Sequence, residues 1–223
     1  MHGQFIPRRG IPTLYRGVQY RSRLEARWAA FFDLLGWPHQ YEPFDLEGWI
    51  PDFLLTGRHP TLVEVKPVVE LPPGLVAEIN GCRGADEYEV LIAGCSLPVR
   101  CPRYSTYSEY ESVTWEYSDG FPFGWLRTNL HRERHRDLNW GTAILNRWTD
   151  DGPIGLYHEW DRVRWDIAND CGLRGVEVDR ISGREGDTIF WSVGTPDAPV
   201  IEPLWNQSGN IVQWRGKQSV VVS

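Results

Sequence analysis

The stretch between residues 50 and 67 constrains the fold of this chain more than any other. Two apolar arms, residues 50–55 and 61–67, flank Thr56-Gly57-Arg58-His59-Pro60, a run with the residue types of a turn. Arms rich in β-branched and bulky residues around such a run predict a β-hairpin. If the turn is centred on Arg58, Asp52 lies directly opposite Glu64.

Three charged side chains of this hairpin are predicted to share one face. Alternate residues of a strand point to the same side, so Glu64 and Lys66 project together while Val63 and Val65 face the other way. Asp52 joins them from the partner strand, with its Cβ about 4.5–5.5 Å from that of Glu64. Two like charges at that spacing destabilise the pair unless a cation neutralises them, and Mg²⁺ takes carboxylate oxygens as ligands. We therefore expect a divalent cation at Asp52 and Glu64.

A structural alternative for this trio is a solvated hairpin face with a diagonal ion pair between Asp52 and Lys66. The continuous apolar run Phe53-Leu54-Leu55 argues against it, because such a run is typical of a strand covered on both faces. The lysine is also informative, since only two of the 23 cationic residues are Lys and the others are Arg. A position that needed only a solvated positive charge would more often carry Arg in this chain.

The run from Ser22 to Gly36 predicts a helix with Ser22 as its N-cap and Gly36 as its C-terminal stop. Its apolar residues recur at helical spacing, and they are Leu24, Trp28, Phe31, Phe32 and Leu35. Glu25 lies three residues after Ser22, so one reading of its carboxylate is a capping box with the Ser22 amide. Because Glu25 also borders the apolar stripe, a cation is the alternative partner.

Further elements extend this pattern into one α/β unit that spans residues 1 to about 100. Residues 40–46 are predicted to form a strand, residues 75–80 a short helix, and residues 87–94 a buried strand. Together with the hairpin, these elements give a mixed central sheet of about four or five strands flanked by helices.

Residues 101–223 carry a weaker pattern that is dense in aromatic side chains. Residues 138–148 suggest a short helix, while the apolar runs at 187–193 and 210–214 favour β-rich packing. We interpret this region as a Trp-rich, β-leaning extension that packs on the core. Its aromatic residues are expected in the core rather than as stacking platforms for bases.

Four short motifs follow one another in the first half of the chain. They are Tyr20-Arg21-Ser22-Arg23-Leu24-Glu25-Ala26-Arg27-Trp28-Ala29, Tyr41-Glu42-Pro43, Pro51-Asp52-Phe53 and Val63-Glu64-Val65-Lys66. In this order they resemble the PD-(D/E)XK nuclease superfamily, especially its small phage and mobile-element members and the nuclease subunit that cuts transposon ends. The resemblance covers roughly residues 15–95 and implies a restriction-endonuclease-like core, with a helix, three strands, a second helix and a further strand.

The resemblance also implies a role for each motif residue. Asp52 and Glu64 would be metal ligands, the Val65 carbonyl a further ligand, Glu25 a ligand directly or through water, and Lys66 the catalytic lysine. The implied reaction is hydrolysis of a DNA phosphodiester bond with Mg²⁺ or Mn²⁺. From the spacing, Lys66 could orient or help to deprotonate the attacking water, or balance charge that develops on the phosphate.

The chain departs from the family pattern after the lysine, where Pro67 and Leu71-Pro72-Pro73 delay the second helix. Glu42 is expected only to support the site from outside or to be structural. Two other hypotheses remain open. The chain could be a degenerate nuclease fold that acts as a DNA-binding or assembly module, or a structural phage protein without a role on nucleic acid.

The formal net charge of −7 argues against a protein that coats nucleic acid by bulk electrostatics, but the arginines are unevenly placed. Residues 1–30 hold six Arg against one Glu, and residues 121–136 hold four Arg against one Glu. We expect these segments to supply phosphate contacts, with a solvated face as the alternative. The candidate DNA-binding residues are Arg16, Arg21, Arg23, Arg127, Arg132, Arg134 and Arg136. Further expected partners are a second copy of the chain or phage or transposition proteins.

Neither a secretory leader nor a long apolar run is recognisable, so we expect a cytoplasmic protein without a membrane span. The four cysteines are scattered, which suits reduced thiols. His131 and His135 lie one helical turn apart, and with Cys95, Cys101 or Cys171 they give a weaker zinc hypothesis. A basic segment with incidental histidines is the alternative reading.

Overall fold

The structure is a computed structural model, and in the residues that it describes the elements are three α-helices, one short 3₁₀ helix and twelve β-strands. It describes residues 10–97, 121–128, 140–147, 154–158, 164–165, 173–178, 180–183, 185–188 and 198–213. Within these ranges the protein is a mixed α/β fold. The helices are α1 (Arg23–Leu35), α2 (Pro73–Gly81) and α3 (Ala198–Ile211). No helix in the described ranges is long and apolar enough to cross a membrane.

One mixed sheet of seven strands forms the centre of the molecule. Its strands, in spatial order, are β3 (His39–Tyr41), β4 (Phe53–Leu55), β5 (Thr61–Val65), β6 (Glu89–Ala93), β7 (Phe121–Arg127), β8 (Trp140–Arg147) and β9 (Ile154–His158). β5 and β6 are parallel and every other neighbouring pair is antiparallel. Two small sheets complete the fold, and they contain β1 (Thr13–Tyr15) with β2 (Val18–Tyr20), and β10 (Arg164–Trp165), β11 (Leu173–Val178) and β12 (Glu185–Thr188).

Helix α1 begins and ends where its sequence predicts. The Ser22 hydroxyl accepts a hydrogen bond from the Glu25 amide at 3.1 Å, which satisfies one free donor of the first turn. At the other end Gly36 has φ of 72°, the left-handed conformation that glycine adopts without a steric penalty. The Trp37 amide bonds to the Phe32 carbonyl and the Gly36 amide to the Asp33 carbonyl, which is the Schellman ending.

The large sheet is covered on both faces. On one face α1 packs with α3, where the Trp205 ring lies 4.8 Å from that of Trp28 and 5.4 Å from that of Phe31, centroid to centroid. On the other face α2 contributes Ile79 to a second apolar cluster that includes Leu62. This two-sided burial confirms the interpretation of residues 53–55 as a strand covered on both faces.

The predicted hairpin register is confirmed. β4 and β5 pair antiparallel with Phe53 opposite Val63 and Leu55 opposite Thr61, so the turn is centred on residue 58. One step further along this register, Asp52 lies opposite Glu64. Both are on the side of Leu54 and Leu62, which is the face of α2, because side chains alternate along a strand.

Three expectations about the second half were wrong. The central sheet has seven strands rather than four or five, because β7, β8 and β9 continue it beyond β6. Residues 140–147 form a strand, not a helix, and burial over residues 140–145 alternates residue by residue as the two-residue period of a strand requires. Asn210 belongs to helix α3 rather than to a β-rich run. The aromatic residues Phe123 and Trp125 are buried, as expected for core positions.

Candidate functional site

Asp52 is the central acidic residue of the site and is only 3% exposed. Its Oδ2 accepts a hydrogen bond from the Val65 amide at 2.7 Å, which ties the start of β4 to the end of β5. Its Oδ1 accepts a hydrogen bond from Nη2 of Arg21, also at 2.7 Å. Each oxygen of this carboxylate therefore has a donor, one from the rigid sheet and one from a side chain that is 55% exposed.

Glu64, opposite Asp52, is 5% exposed and is held in a similar way. Its Oε2 accepts a hydrogen bond from the Trp49 indole N–H at 2.7 Å. Its Oε1 forms an ion pair with the Lys66 ammonium, whose side chain is 41% exposed. Lys66 thus pairs with Glu64, two residues earlier in the chain. The solvated-hairpin alternative required a diagonal ion pair between Lys66 and Asp52 instead.

Arg21 connects this hairpin to the segment before α1. Its Nε lies 2.8 Å from Oε1 of Glu42, while its Nη2 contacts Asp52. Glu42 has φ of 44°, an uncommon value for a residue other than glycine, and its amide donates to the Asp52 carbonyl at 2.9 Å. Strained backbone of this kind clusters at functional sites, and here it presents the Glu42 carboxylate to the guanidinium.

Glu25 is buried at the N-terminal turn of α1. Its carboxylate binds the Tyr41 hydroxyl, a partner that neither the capping box nor the cation hypothesis anticipated. Its Oε2 accepts hydrogen bonds from the Tyr41 hydroxyl at 2.6 Å and from the Arg21 amide at 3.1 Å. The capping box is therefore half formed. The Ser22 side chain caps the helix, but the Glu25 carboxylate accepts from the Arg21 amide instead of the Ser22 amide. Burial, together with the hydrogen bond to Glu25, raises the pKa of Tyr41, so the hydroxyl remains a donor.

Burial and neighbouring charge shift two pKa values at the site. Desolvation, then the charge of Glu64, raises the pKa of Asp52 to about 7 from an ordinary value of 3.8, against the opposing effects of the Val65 amide and Arg21. For Lys66, burial would lower the pKa, but the charge and hydrogen bond of Glu64 outweigh it and the pKa is raised. Lys66 is consequently a cation at neutral pH.

The site carries more negative than positive groups. Glu25, Glu42, Asp52 and Glu64 meet Arg21 and Lys66, which leaves an excess of two negative charges when all are ionised. In the part of the chain that is described, no three His, Cys, Asp or Glu side chains stand together as a preformed metal site. The site therefore brings two buried carboxylates together at one strand end, with an unbalanced charge and with each carboxylate partly held by a half-exposed cation.

The arginines expected to contact DNA have different environments. Arg16 is 71% exposed and lies 3.1 Å from the Asp33 carboxylate, and Arg23 is exposed at the start of α1. Arg127 was wrongly placed on a surface, because it is 5% exposed and donates to the Asn80 side chain and to the Ala85 and Tyr88 carbonyls. The remaining candidates lie outside the described residues, and they are Arg132, Arg134 and Arg136.

The zinc hypothesis falls mostly outside the described part of the chain, which includes Cys95 but not His131, His135, Cys101 or Cys171. Cys95 is half-buried, and its Sγ lies 3.5 Å from the Val68 carbonyl oxygen. The zinc site stays a hypothesis.

Sequence reasoning missed two donors that shape the site, Trp49 and Tyr41. Trp49 is 6% exposed, and a buried indole N–H usually finds an acceptor, so its place just before Pro51-Asp52 was a usable signal. Tyr41 stands beside Glu42 in a quoted motif, but nothing in the local sequence indicates that its hydroxyl reaches Glu25. Comparison of the chain with protein-family models, with curated proteins and with solved structures gave no match.

Proposed function

We propose that this protein is a divalent-cation-dependent endonuclease that hydrolyses DNA phosphodiester bonds, of the phage or mobile-element type. The observation that carries the proposal is the placement of Asp52, Glu64 and Lys66 on one face at one end of the β4–β5 hairpin. Two buried carboxylates beside an ammonium stabilise a fold poorly, whereas they can hold a hard cation next to a phosphate.

The order of elements around the site supports the proposal. α1, β3, β4, β5, α2 and β6 follow one another as a helix, three strands, a helix and a strand, which is the order that a restriction-endonuclease-like core requires. α2 begins at Pro73, so the prolines after Lys66 lengthen the connection without removing the helix. We therefore assign residues 15–95 to such a core in this proposal.

The residues at the site fit a hard cation such as Mg²⁺ or Mn²⁺. Burial and, after it, the charge of Glu64 raise the pKa of Asp52, and a divalent cation would relieve the repulsion between the two carboxylates. Asp52 and Glu64 supply carboxylate oxygens, and the two donors from buried positions, the Val65 amide and the Trp49 indole, hold Oδ2 and Oε2. Oδ1 and Oε1, which pair with half-exposed cations, are the atoms left to ligate the metal.

A cation bound there would supply Lewis-acid stabilisation of the phosphate and a more acidic water. The other parts of the chemistry belong to this chain. Without a bound cation, the charge and hydrogen bond of Glu64 outweigh burial and raise the pKa of Lys66, so its ammonium is available as a positive charge for the phosphate. Glu25 acts through Arg21 and Tyr41 and not as a direct ligand, since its carboxylate faces those donors.

Cleavage of supercoiled plasmid and of branched and single-stranded DNA, with Mg²⁺ or Mn²⁺, tests the proposal. We expect Lys66→Ala and Asp52→Asn to lower the cleavage rate by about 10²–10³-fold, the usual effect of removing one group that stabilises transition-state charge. Arg83→Gln is the matched control, because Arg83 is 86% exposed, pairs with Glu47 and is not among the candidate DNA-binding residues. Unchanged cleavage by both site variants, in folded protein, would remove the proposal.

A second candidate function is DNA binding or assembly by a nuclease fold that has lost catalysis. One observation favours it, namely that all four oxygens of Asp52 and Glu64 already have protein donors. Retention of DNA at low salt without any metal requirement, and without cleavage of any of these substrates, would select this candidate over the endonuclease.

A further inference from the structure

Arg21 contacts the Asp52 carboxylate, which would hold the cation of the proposed function. Its Nη2 contacts Oδ1 of Asp52 at 2.7 Å, and Oδ1 is the oxygen of that carboxylate that the sheet does not hold. The guanidinium is also 2.8 Å from Glu42, and its Nε is 3.9 Å from Oε2 of Glu25. One cation therefore serves three carboxylates.

We propose that Arg21 is a built-in counter-cation, which neutralises Asp52 until a divalent cation binds and then leaves Oδ1 while staying paired with Glu42. This inference rests on the proposed function, since it concerns the same site. It assigns to Arg21 a role other than the phosphate contact expected from the sequence.

The two partners of Arg21 differ in a way that makes such an exchange feasible. Asp52 is almost fully buried, and its Oδ2 is fixed by the Val65 amide, so the carboxylate itself does not move. The Arg21 side chain is 55% exposed and that of Glu42 is 36% exposed, so the guanidinium can withdraw toward solvent without losing Glu42. Its backbone stays anchored, because the Arg21 amide donates to Glu25 and to the Tyr41 hydroxyl.

If Arg21 and a divalent cation compete for the Asp52 carboxylate, removal of the Arg21 side chain should tighten cation binding. Titration calorimetry with Ca²⁺, a hard cation that takes oxygen ligands, measures this directly and without any cleavage. At about pH 9, above the pKa of about 7 to which burial and Glu64 raise Asp52 in the wild type, we expect Arg21→Gln to bind Ca²⁺ about tenfold more tightly than the wild type. Arg23→Gln removes the same charge two residues away without a contact to Asp52, and its affinity should stay within about twofold of the wild type.

The outcomes separate this inference from the proposed function. If Asp52→Asn abolishes Ca²⁺ binding but Arg21→Gln binds as the wild type does, or more weakly, Arg21 is not a competitor and the inference alone is wrong. An equal gain in Arg21→Gln and Arg23→Gln would show general charge repulsion and would also overturn it. If neither the wild type nor Arg21→Gln binds Ca²⁺, or if Asp52→Asn binds it unchanged, both the inference and the cation site of the proposed function are wrong.

A crystal structure of the wild type with Mn²⁺ gives a second test that needs no variant. We expect Mn²⁺ at Asp52, located by its anomalous scattering, with Arg21 withdrawn from Oδ1 and still paired with Glu42. Mn²⁺ on Asp52 with the Arg21 contact intact would overturn the inference.

Discussion

Two charged clusters of this protein both contain buried carboxylates and differ in what they can do. We call Asp52, Glu64, Lys66 and Arg21 the site cluster. We call Glu89 and Arg180, with the Thr128 hydroxyl beside them, the buried pair. Oε2 of Glu89 lies 2.9 Å from Nε of Arg180, and Oε1 accepts a hydrogen bond from the Thr128 hydroxyl at 2.9 Å. Arg180 is fully buried and Glu89 is 5% exposed.

The difference lies in the exposure of the cations. Among the described residues of the buried pair, the Glu89 carboxylate meets the Arg180 guanidinium, and both are withdrawn from water. In the site cluster the two carboxylates are buried, but the cations that face them are half-exposed. A buried cation holds the fold because its loss leaves an unpaired charge, whereas a half-exposed one can exchange with a ligand. The comparison therefore separates a structural cluster from a candidate functional one.

The buried pair should be the more sensitive of the two clusters to loss of its cation. Arg180→Ala leaves Glu89 buried without its guanidinium, and we expect the free energy of unfolding to fall by about 3–5 kcal/mol. Lys66→Ala is the matched variant in the site cluster, where we expect a change below about 1 kcal/mol, because Lys66 is 41% exposed and Trp49 still donates to Glu64. Urea unfolding measures both, and equal losses would break the comparison.

Asp52→Asn should become more stable than the wild type as the pH rises. This prediction sharpens the contrast between the site cluster and the buried pair. The pKa of Asp52 is raised to about 7 in the folded protein, so between about pH 4 and 7 the folded state keeps a proton that the unfolded chain releases. The free energy of unfolding contributed by Asp52 therefore falls as the pH increases through this range. Each pKa unit corresponds to about 1.4 kcal/mol, and the raised value already includes the bonds from Val65 and Arg21 to the charged form. We expect Asp52→Asn to be more stable than the wild type above about pH 7, by on the order of a few kcal/mol.

Urea unfolding of the wild type and of Asp52→Asn at several pH values checks this prediction. The difference in stability between the two proteins should be small near pH 4 and should grow toward pH 7. A difference that does not depend on pH would contradict the raised pKa.

Trp49→Phe should give a smaller change than Arg180→Ala or Asp52→Asn. It removes the indole donor to Oε2 of Glu64, and hydrogen bonds to charged groups contribute on the order of 1.5 kcal/mol or more. Trp125→Phe is the control for the change in ring size, since the Trp125 indole N–H is buried and has no hydrogen-bond partner among the described residues. We expect Trp49→Phe to lower the free energy of unfolding by about 1.5 kcal/mol more than Trp125→Phe does. Equal effects in chemical denaturation would mean that Trp49 contributes packing alone.

Much of the first half of the fold follows from local patterns. The caps of α1, the position of β6 and the register of the β4–β5 hairpin were each predicted, because caps, turns and the two-residue period act over a few residues. The strand at 140–147 was mistaken for a helix, because a short apolar run fits both a helical and a strand period. Pairing with β7 and β9 makes the segment a strand.

The sequence by itself determined that Asp52 and Glu64 face each other and that Lys66 shares their side of the hairpin. Only the tertiary structure decided which donors satisfy them, because a buried carboxylate takes whichever donor packing brings within reach. Arg21 comes from 31 residues before Asp52, and the Trp49 indole enters from the loop that precedes the strand. The hairpin turn is likewise fixed from a distance, by hydrogen bonds of the Arg58 and His59 amides to carbonyls of Ile181 and Arg180. The local sequence pattern sets the register of the β4–β5 hairpin and the side on which its charged residues lie. Long-range packing sets the donors that these carboxylates meet, and hence the charge balance of the site.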